Sequence, residues 1–230
     1  TYMLGSDANG LYAVANKIPT IISTISSIFF QAWQISSVEE VNSKDKAIFY
    51  SKVFSVLSAL LTCATSFLLV ILQPLYRVLT EESYYIGWVA TPFLLFAMVF
   101  SCYSSFLGTN YVAMKKTTGV FLTTVGGAVI NIVLNIFLTR PFGIIGTAVA
   151  TAVGFFITWG ARVFGTRRFV RIRYPLRTFI VPTVLLLAQT VLLSVGVNSI
   201  WIQCIFFAVI VILYIDIIVM CCKKGIFFAK

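Results

Sequence analysis

Residues 117–160 read TTGVFLTTVGGAVINIVLNIFLTRPFGIIGTAVATAVGFFITWG, and Arg140 is the single charged side chain among them. The run is about twice the roughly 20 residues of α-helix needed to cross a hydrocarbon core about 30 Å thick. Thr139-Arg140-Pro141 punctuates it near the middle, and proline and charge mark the ends of helices. The stretch therefore predicts two consecutive crossings, over 117–138 and 143–160. Working outward, apolar stretches of comparable length cover 11–36, 49–72 and 85–111 before it, and 179–195 and 200–220 after it. Gln73-Pro74 and Gly196-Val197-Asn198 mark two further junctions. The expected fold class is all-α, a polytopic transmembrane bundle of about seven helices. A closed β-barrel would show short alternating segments instead.

Composition agrees with that reading. Of 230 residues, 60% are hydrophobic and only 10% charged, with a mean hydropathy of +0.99; soluble domains carry about 25% charged residues. The apolar excess has to face lipid, because too little polar surface remains to cover a soluble core. The chain opens at Thr1 without an initiator methionine, and no stretch has the pattern of a signal peptide, so it reads as a fragment.

Orientation follows from the cations, since cytoplasmic loops retain Lys and Arg. With the first helix running outside to inside, the inner side receives Lys44, Lys46, Lys52, Lys115, Lys116, Arg162, Arg167, Arg168, Arg171, Arg173, Arg177, Lys223, Lys224 and Lys230, fourteen of the seventeen basic residues. The outer side keeps Arg77 and Arg140, and Lys17 lies within the first helix. Thr1 is then outside and the C-terminus cytoplasmic. The net charge of +10 is explained by topology, which leaves no call for a nucleic-acid partner. Membrane lipids are expected partners, and the run from Arg162 to Arg177 is a place where anionic lipid could be held.

Catalytic and metal chemistry find no support. Cys63, Cys102, Cys204, Cys221 and Cys222 have no paired spacing, and the chain has no histidine to complete a zinc set. Cys221-Cys222 beside Lys223-Lys224 reads either as a palmitoylation site or as small apolar residues at a helix end. Asp7, Glu39, Glu40, Asp45, Glu81 and Glu82 fall in loops or at ends. Asp216 alone lies within a helix, close enough to its end to pair with Lys223, Lys224 or an arginine of the basic loop. No phosphate-cradling glycine loop is present. The chain reads as no enzyme and as needing no cofactor.

Polar residues inside apolar helices are costly and therefore informative. The first helix carries Asn16 and Lys17 near its outer end, then Pro19, Ser23, Ser27 and Gln31 at intervals of four, with Trp33 and Gln34 near the inner end. Residues four apart share a face, so this helix presents a polar stripe to a bundle interior or an aqueous cavity. A lysine one or two turns into the membrane is tolerated when it snorkels, pairs or meets an anion. The fourth helix repeats the pattern with Thr123, Gly127, Asn131 and Asn135. Its asparagines are placed either to bond sugar hydroxyls or to lock the helix to a neighbour. Gly146, Ala150 and Gly154 give the fifth helix a small-residue face for close packing. Pro19 and Pro92 are candidate kinks.

A family resemblance rests on three of these stretches. Gly10-Leu11-Tyr12-Ala13-Val14-Ala15-Asn16-Lys17-Ile18, with the helix that follows to Phe30-Gln31-Ala32-Trp33, resembles the eighth helix of the polysaccharide flippases of the MOP (multidrug/oligosaccharidyl-lipid/polysaccharide) exporter superfamily. The segment from Asn131 through Asn135 to Arg140-Pro141-Phe142-Gly143-Ile144-Ile145-Gly146-Thr147-Ala148 resembles that family's asparagine-rich helix, proline-glycine turn and small-residue helix. Residues 108–116 resemble its glycine-then-lysine loop. Lys17 matches a basic position of the related lipid II flippases, with Lys in place of Arg, Val14 in place of a tyrosine and Pro19 earlier than the family proline. An ammonium is a point charge where guanidinium is a planar fork, so the substitution weakens any bidentate grip on phosphate.

The resemblance implies a C-terminal half, numbered from an eighth helix to a fourteenth, whereas drug exporters of the superfamily stop at twelve. Residues 1–165 would form an incomplete second transporter lobe of MATE-like architecture, five crossings after a missing one, and 166–230 a basic cytoplasmic loop with two extra helices. It implies alternating access in a bacterial cytoplasmic membrane. The expected substrate is a lipid-linked oligosaccharide on undecaprenyl diphosphate, for cell-surface polysaccharide such as O-antigen or capsule. Lys17, Asn16, Gln31, Asn131 and Asn135 are the substrate-binding candidates, and a glycan polymerase and glycosyltransferases of the same pathway the protein partners. A multidrug or cation antiporter of the same superfamily, and a membrane-embedded glycan polymerase, are the competing readings.

Overall fold

A computed structural model of the chain describes residues 5–224. Helix α1 (Gly5–Glu39) leads through a 3-10 turn at Glu40–Asn42 into α2 (Lys46–Val70) and the short α3 (Leu72–Leu79). A 3-10 segment at Glu82–Val89 precedes α4 (Thr91–Ala113), and the next helical stretch, α5, extends over Thr117–Thr166. A π-turn at Leu176–Ile180 opens α6 (Val181–Ser194); α7 (Ile200–Leu213) and α8 (Ile215–Lys224) follow. There is no strand among the described residues.

The 50 residues of α5 would extend about 75 Å if straight, far beyond one crossing. They turn back at Gly143, whose φ of 56° and ψ of −136° interrupt the helix two residues after Pro141. The chain thus makes an antiparallel hairpin of two arms, 117–142 and 143–166. The arms touch through their glycines: Gly127 lies against Thr158 and the Gly154 carbonyl, Gly154 against Asn131, and Gly146 against the Leu138 backbone. The small-residue face of the sequence is a packing device here, and α4 lies along the same hairpin.

Among the described residues, five helices are long and apolar enough to cross a membrane. Counting both arms of α5 makes six, and the 14-residue α7 continues past Tyr214 into α8 to give a seventh. The seven-crossing expectation therefore holds, with shifted ends. The third crossing does not begin at 85, because Pro92 stands in the first turn of α4, where its missing N–H costs nothing. Pro92 starts a helix and does not kink one; Pro19, by contrast, lies inside α1. The helix α3 was not anticipated, since its eight residues are too few to register as a span.

The core is aromatic and is held together by interhelical hydrogen bonds. Trp33 of α1 stacks on Phe106 of α4 at 4.3 Å between centroids, and its Nε1 donates to Thr109 Oγ1 at 2.6 Å. Phe54, Tyr103, Phe179 and Tyr174 pack ring against ring. Burial pushes the Tyr174 phenol upward, an effect Arg167 opposes. The polar face of α2 couples three neighbours: Ser58 Oγ bonds both Tyr103 Oη (2.9 Å) and Tyr214 Oη (3.0 Å), and Ser66 Oγ donates to Gln189 Oε1 at 2.6 Å. Such bonds hold membrane helices together where lipid provides no hydrophobic contrast.

Candidate functional site

Three polar features stand out; the residues singled out from sequence fall on the first two, and Asn131 also lines the third. On α1, Ala15, Ile18, Ile22, Ser26 and Trp33 are buried, and Cys102 of α4 meets Ser26 Oγ at 3.3 Å. The opposite face carries Lys17, Thr20, Thr24, Ser27 and Gln31, all exposed from this bundle. Its hydroxyls are satisfied locally: Ser23 and Thr24 donate to the Thr20 carbonyl, both at 2.9 Å, and Ser27 to the Thr24 carbonyl at 2.7 Å. Exposed Ile21, Ile25 and Ile28 interleave with them, so the stripe is mixed in character. Asn16, half-buried, donates to the Tyr12 carbonyl at 2.9 Å. The Lys17 ammonium has no hydrogen-bond or ion-pair partner among the described residues. Lys17 and Gln31 sit about 21 Å apart along the helix, so they share a face without sharing a contact point.

The second feature is a ladder between the arms of α5. Asn135 Nδ2 donates to the Asn131 carbonyl (2.9 Å) and to Asn131 Oδ1 (3.1 Å), and Asn131 Nδ2 to Thr151 Oγ1 at 3.4 Å. Thr139 Oγ1 donates to Asn135 Oδ1 at 3.4 Å and bonds Thr147 Oγ1 at 3.0 Å. Tyr12 Oη reaches Thr151 Oγ1 at 3.3 Å and ties α1 to the ladder. In this arrangement Asn131 and Thr139 bond across the two arms, and Asn135 links those two along the first arm.

A cavity of about 480 Å³ between α4 and the two arms is the third. Asn131, Thr124, Ser101, Ser104 and Thr158 give it a polar wall, and Arg162 closes one end. That arginine is a correction. Sequence places it with the loop cations, but the second arm runs on to Thr166 and leaves Arg162 within it, 6% exposed. Its Nη1 donates to the Ser104 carbonyl at 2.7 Å, its Nε to Thr123 Oγ1 at 3.0 Å and its Nη2 to Thr124 Oγ1 at 2.8 Å. The guanidinium thus pins α4 to both arms of α5. Gly108 gives it room, since a β-carbon there would meet Nη1 at 2.9 Å. Ser104 Oγ is buried in the same cavity with no partner. No carboxylate pairs with Arg162 among the described residues. A signal was present in the sequence: Thr147, Thr151, Thr158, Arg162 and Thr166 fall on one helical face.

The remaining polar residues settle simply. Asp216 pairs with Arg177 of the basic loop at 3.4 Å, both exposed. Cys63 is half-buried, Cys102 buried and Cys204 exposed, all free thiols; the side chains of Cys221 and Cys222 lie outside the described residues. No group of metal-ligating side chains is found among the described residues.

No protein-family model matches the chain, and no curated protein matches it by sequence. Among solved structures it is similar to the lipid II flippase MurJ in its inward closed conformation, with a TM-score of 0.57 at 16% identity over 90% of this chain. The match spans 53% of that flippase, about half its length. The fold is therefore similar to that of this flippase, a bundle of membrane-spanning helices.

Proposed function

We propose that this chain is part of a flippase that carries a lipid-linked oligosaccharide across a bacterial cytoplasmic membrane by alternating access, for cell-surface polysaccharide synthesis. The observation that carries the proposal is the open face of α1. A transporter fold shared with a lipid II flippase presents there, away from its own core, an unpartnered lysine and a line of hydroxyl and amide groups. A cation and hydrogen-bonding groups at membrane depth suit the diphosphate and sugar hydroxyls of such a substrate while its lipid tail stays in the bilayer. In this reading residues 1–165 belong to a second lobe whose α1 face lines the cavity shared with a first lobe, and 166–230 supply the basic loop and two additional helices. Lys17 meets the diphosphate, Gln31 the glycan further along the path, and Asn16, Asn131 and Asn135 shape the wall. The C-terminus is cytoplasmic, and the polymerase and glycosyltransferases of the pathway are the partners.

The test is depletion of the protein containing this chain, followed by a membrane-impermeant sugar probe that reports which face holds the lipid-linked oligosaccharide. Accumulation on the cytoplasmic face is expected. Wild type should restore export, Lys17→Ala should restore it roughly tenfold less well, as loss of one charge-assisted contact predicts, and Lys17→Arg should largely retain it. An unchanged lipid distribution with altered drug sensitivity would replace this reading with that of an antiporter of the same superfamily.

A further inference from the structure

A second cavity, of about 370 Å³, lies at the basic end of the bundle, apart from the α1 face and the Arg162 cavity, and takes Arg173 from the basic run. It opens where the first turns of α2, the loop before α6 and helix α8 meet. Lys52 and Arg173 provide its cations. Neither has an ion-pair partner among the described residues, and the nearby carboxylate of Asp216 is already engaged by Arg177. The Arg173 backbone N–H donates to Ser51 Oγ at 3.0 Å, which fastens the loop to α2 next to Lys52. Ser55 and Thr178 add hydroxyls to the wall. The rest of the lining is apolar: Ile48, Pro175, Ile217 and Met220. Ile48 remains 55% exposed.

Paired cations and hydroxyls beside an apolar shelf, at the level where helices leave a bilayer, match one ligand chemistry. A phosphodiester would sit between Lys52 and Arg173, and an acyl chain would lie along Ile48, Ile217 and Met220. A free phosphate would have no use for the shelf, and an uncharged lipid none for the cations. We infer that this cavity is a binding site for the headgroup of an anionic phospholipid such as phosphatidylglycerol, which thereby clips the basic loop and α8 to α2. The inference is independent of what the protein transports.

The test reconstitutes the protein in vesicles with trace photoactivatable phosphatidylglycerol, its reactive group at the glycerol, and maps labelled peptides by mass spectrometry. Labelling is expected to concentrate within 46–56, 171–180 and 214–222 and to exceed that by photoactivatable phosphatidylcholine. It should fall roughly tenfold in Lys52→Ala/Arg173→Ala, given the attraction each basic residue exerts on anionic lipid. The charge-keeping pair Lys52→Arg/Arg173→Lys should retain it, so the idea stays testable if the alanine variant misfolds. Even labelling around the whole perimeter would overturn the inference. An equal fall in Arg171→Ala, an exposed cation outside the cavity lining, would overturn it too. Loss of labelling to excess inorganic phosphate would show a soluble-phosphate site instead.

Discussion

At the scale of single residues, two cations within helices differ sharply in their surroundings. Lys17 is exposed and has no partner among the described residues, so its charge is open to whatever faces α1. Arg162 is buried in the second arm of α5 and its donors are spent on α4 and the first arm. Interhelical hydrogen bonds in membranes are worth about 0.6 kcal/mol each and at most about 1.7. Arg162→Lys keeps the charge but not the fork, and is expected to destabilise the protein by about 1–3 kcal/mol, seen as a lower thermal midpoint in detergent. An unchanged midpoint would mean that the guanidinium is held for a ligand in the adjoining cavity and not for packing. Sequence placed Lys17 correctly within its helix but counted Arg162 among loop cations. Hydropathy weighs an arginine one turn before Arg167-Arg168 as the start of a loop; only the packed hairpin shows that carbonyl and hydroxyl acceptors await it.

At the scale of elements, the α5 hairpin separates three kinds of glycine. Gly127 faces Thr158 of the opposite arm so closely that a β-carbon has no room, and Gly127→Ala should cost about 1–3 kcal/mol through overpacking. Gly143 has open space around it but a φ of +56°. Gly143→Ala should therefore cost a similar amount, about 1–3 kcal/mol, through backbone strain alone. Gly160 has neither constraint, and Gly160→Ala should be neutral or stabilising by up to about 1 kcal/mol. Thermal unfolding of the three variants reads this order directly, and a destabilised Gly160→Ala would refute the contact geometry. The turn itself was legible, since Arg140-Pro141 interrupts an overlong apolar run. The asparagine ladder was legible in part: Asn131, Asn135 and Thr139 are four apart on one face of any helix, but the bond from Asn131 to Thr151 depends on how the arms register.

At the scale of the whole molecule, the open polar face of α1, the basic end and the two cavities described above all belong to one bundle. Orientation in the membrane is the expectation that most needs a measurement. With all five cysteines replaced by serine, Arg140→Cys should react with an impermeant maleimide added outside intact cells, and Lys44→Cys only after permeabilisation. The reverse pattern would invert the topology and move the proposed phospholipid site to the outer leaflet. The sequence by itself determined the fold class and the number of crossings, because the thickness of a bilayer sets the length of every apolar run and water's absence leaves helices as the economical way to satisfy backbone groups. It also marked the polar faces, because helical periodicity is local. Which faces pair and which stay open was decided by tertiary structure alone: Arg162 turned inward, Lys17 outward, and Lys52 came beside Arg173 from 121 positions away in the sequence, because such contacts depend on the packing of separate helices, which no single segment encodes.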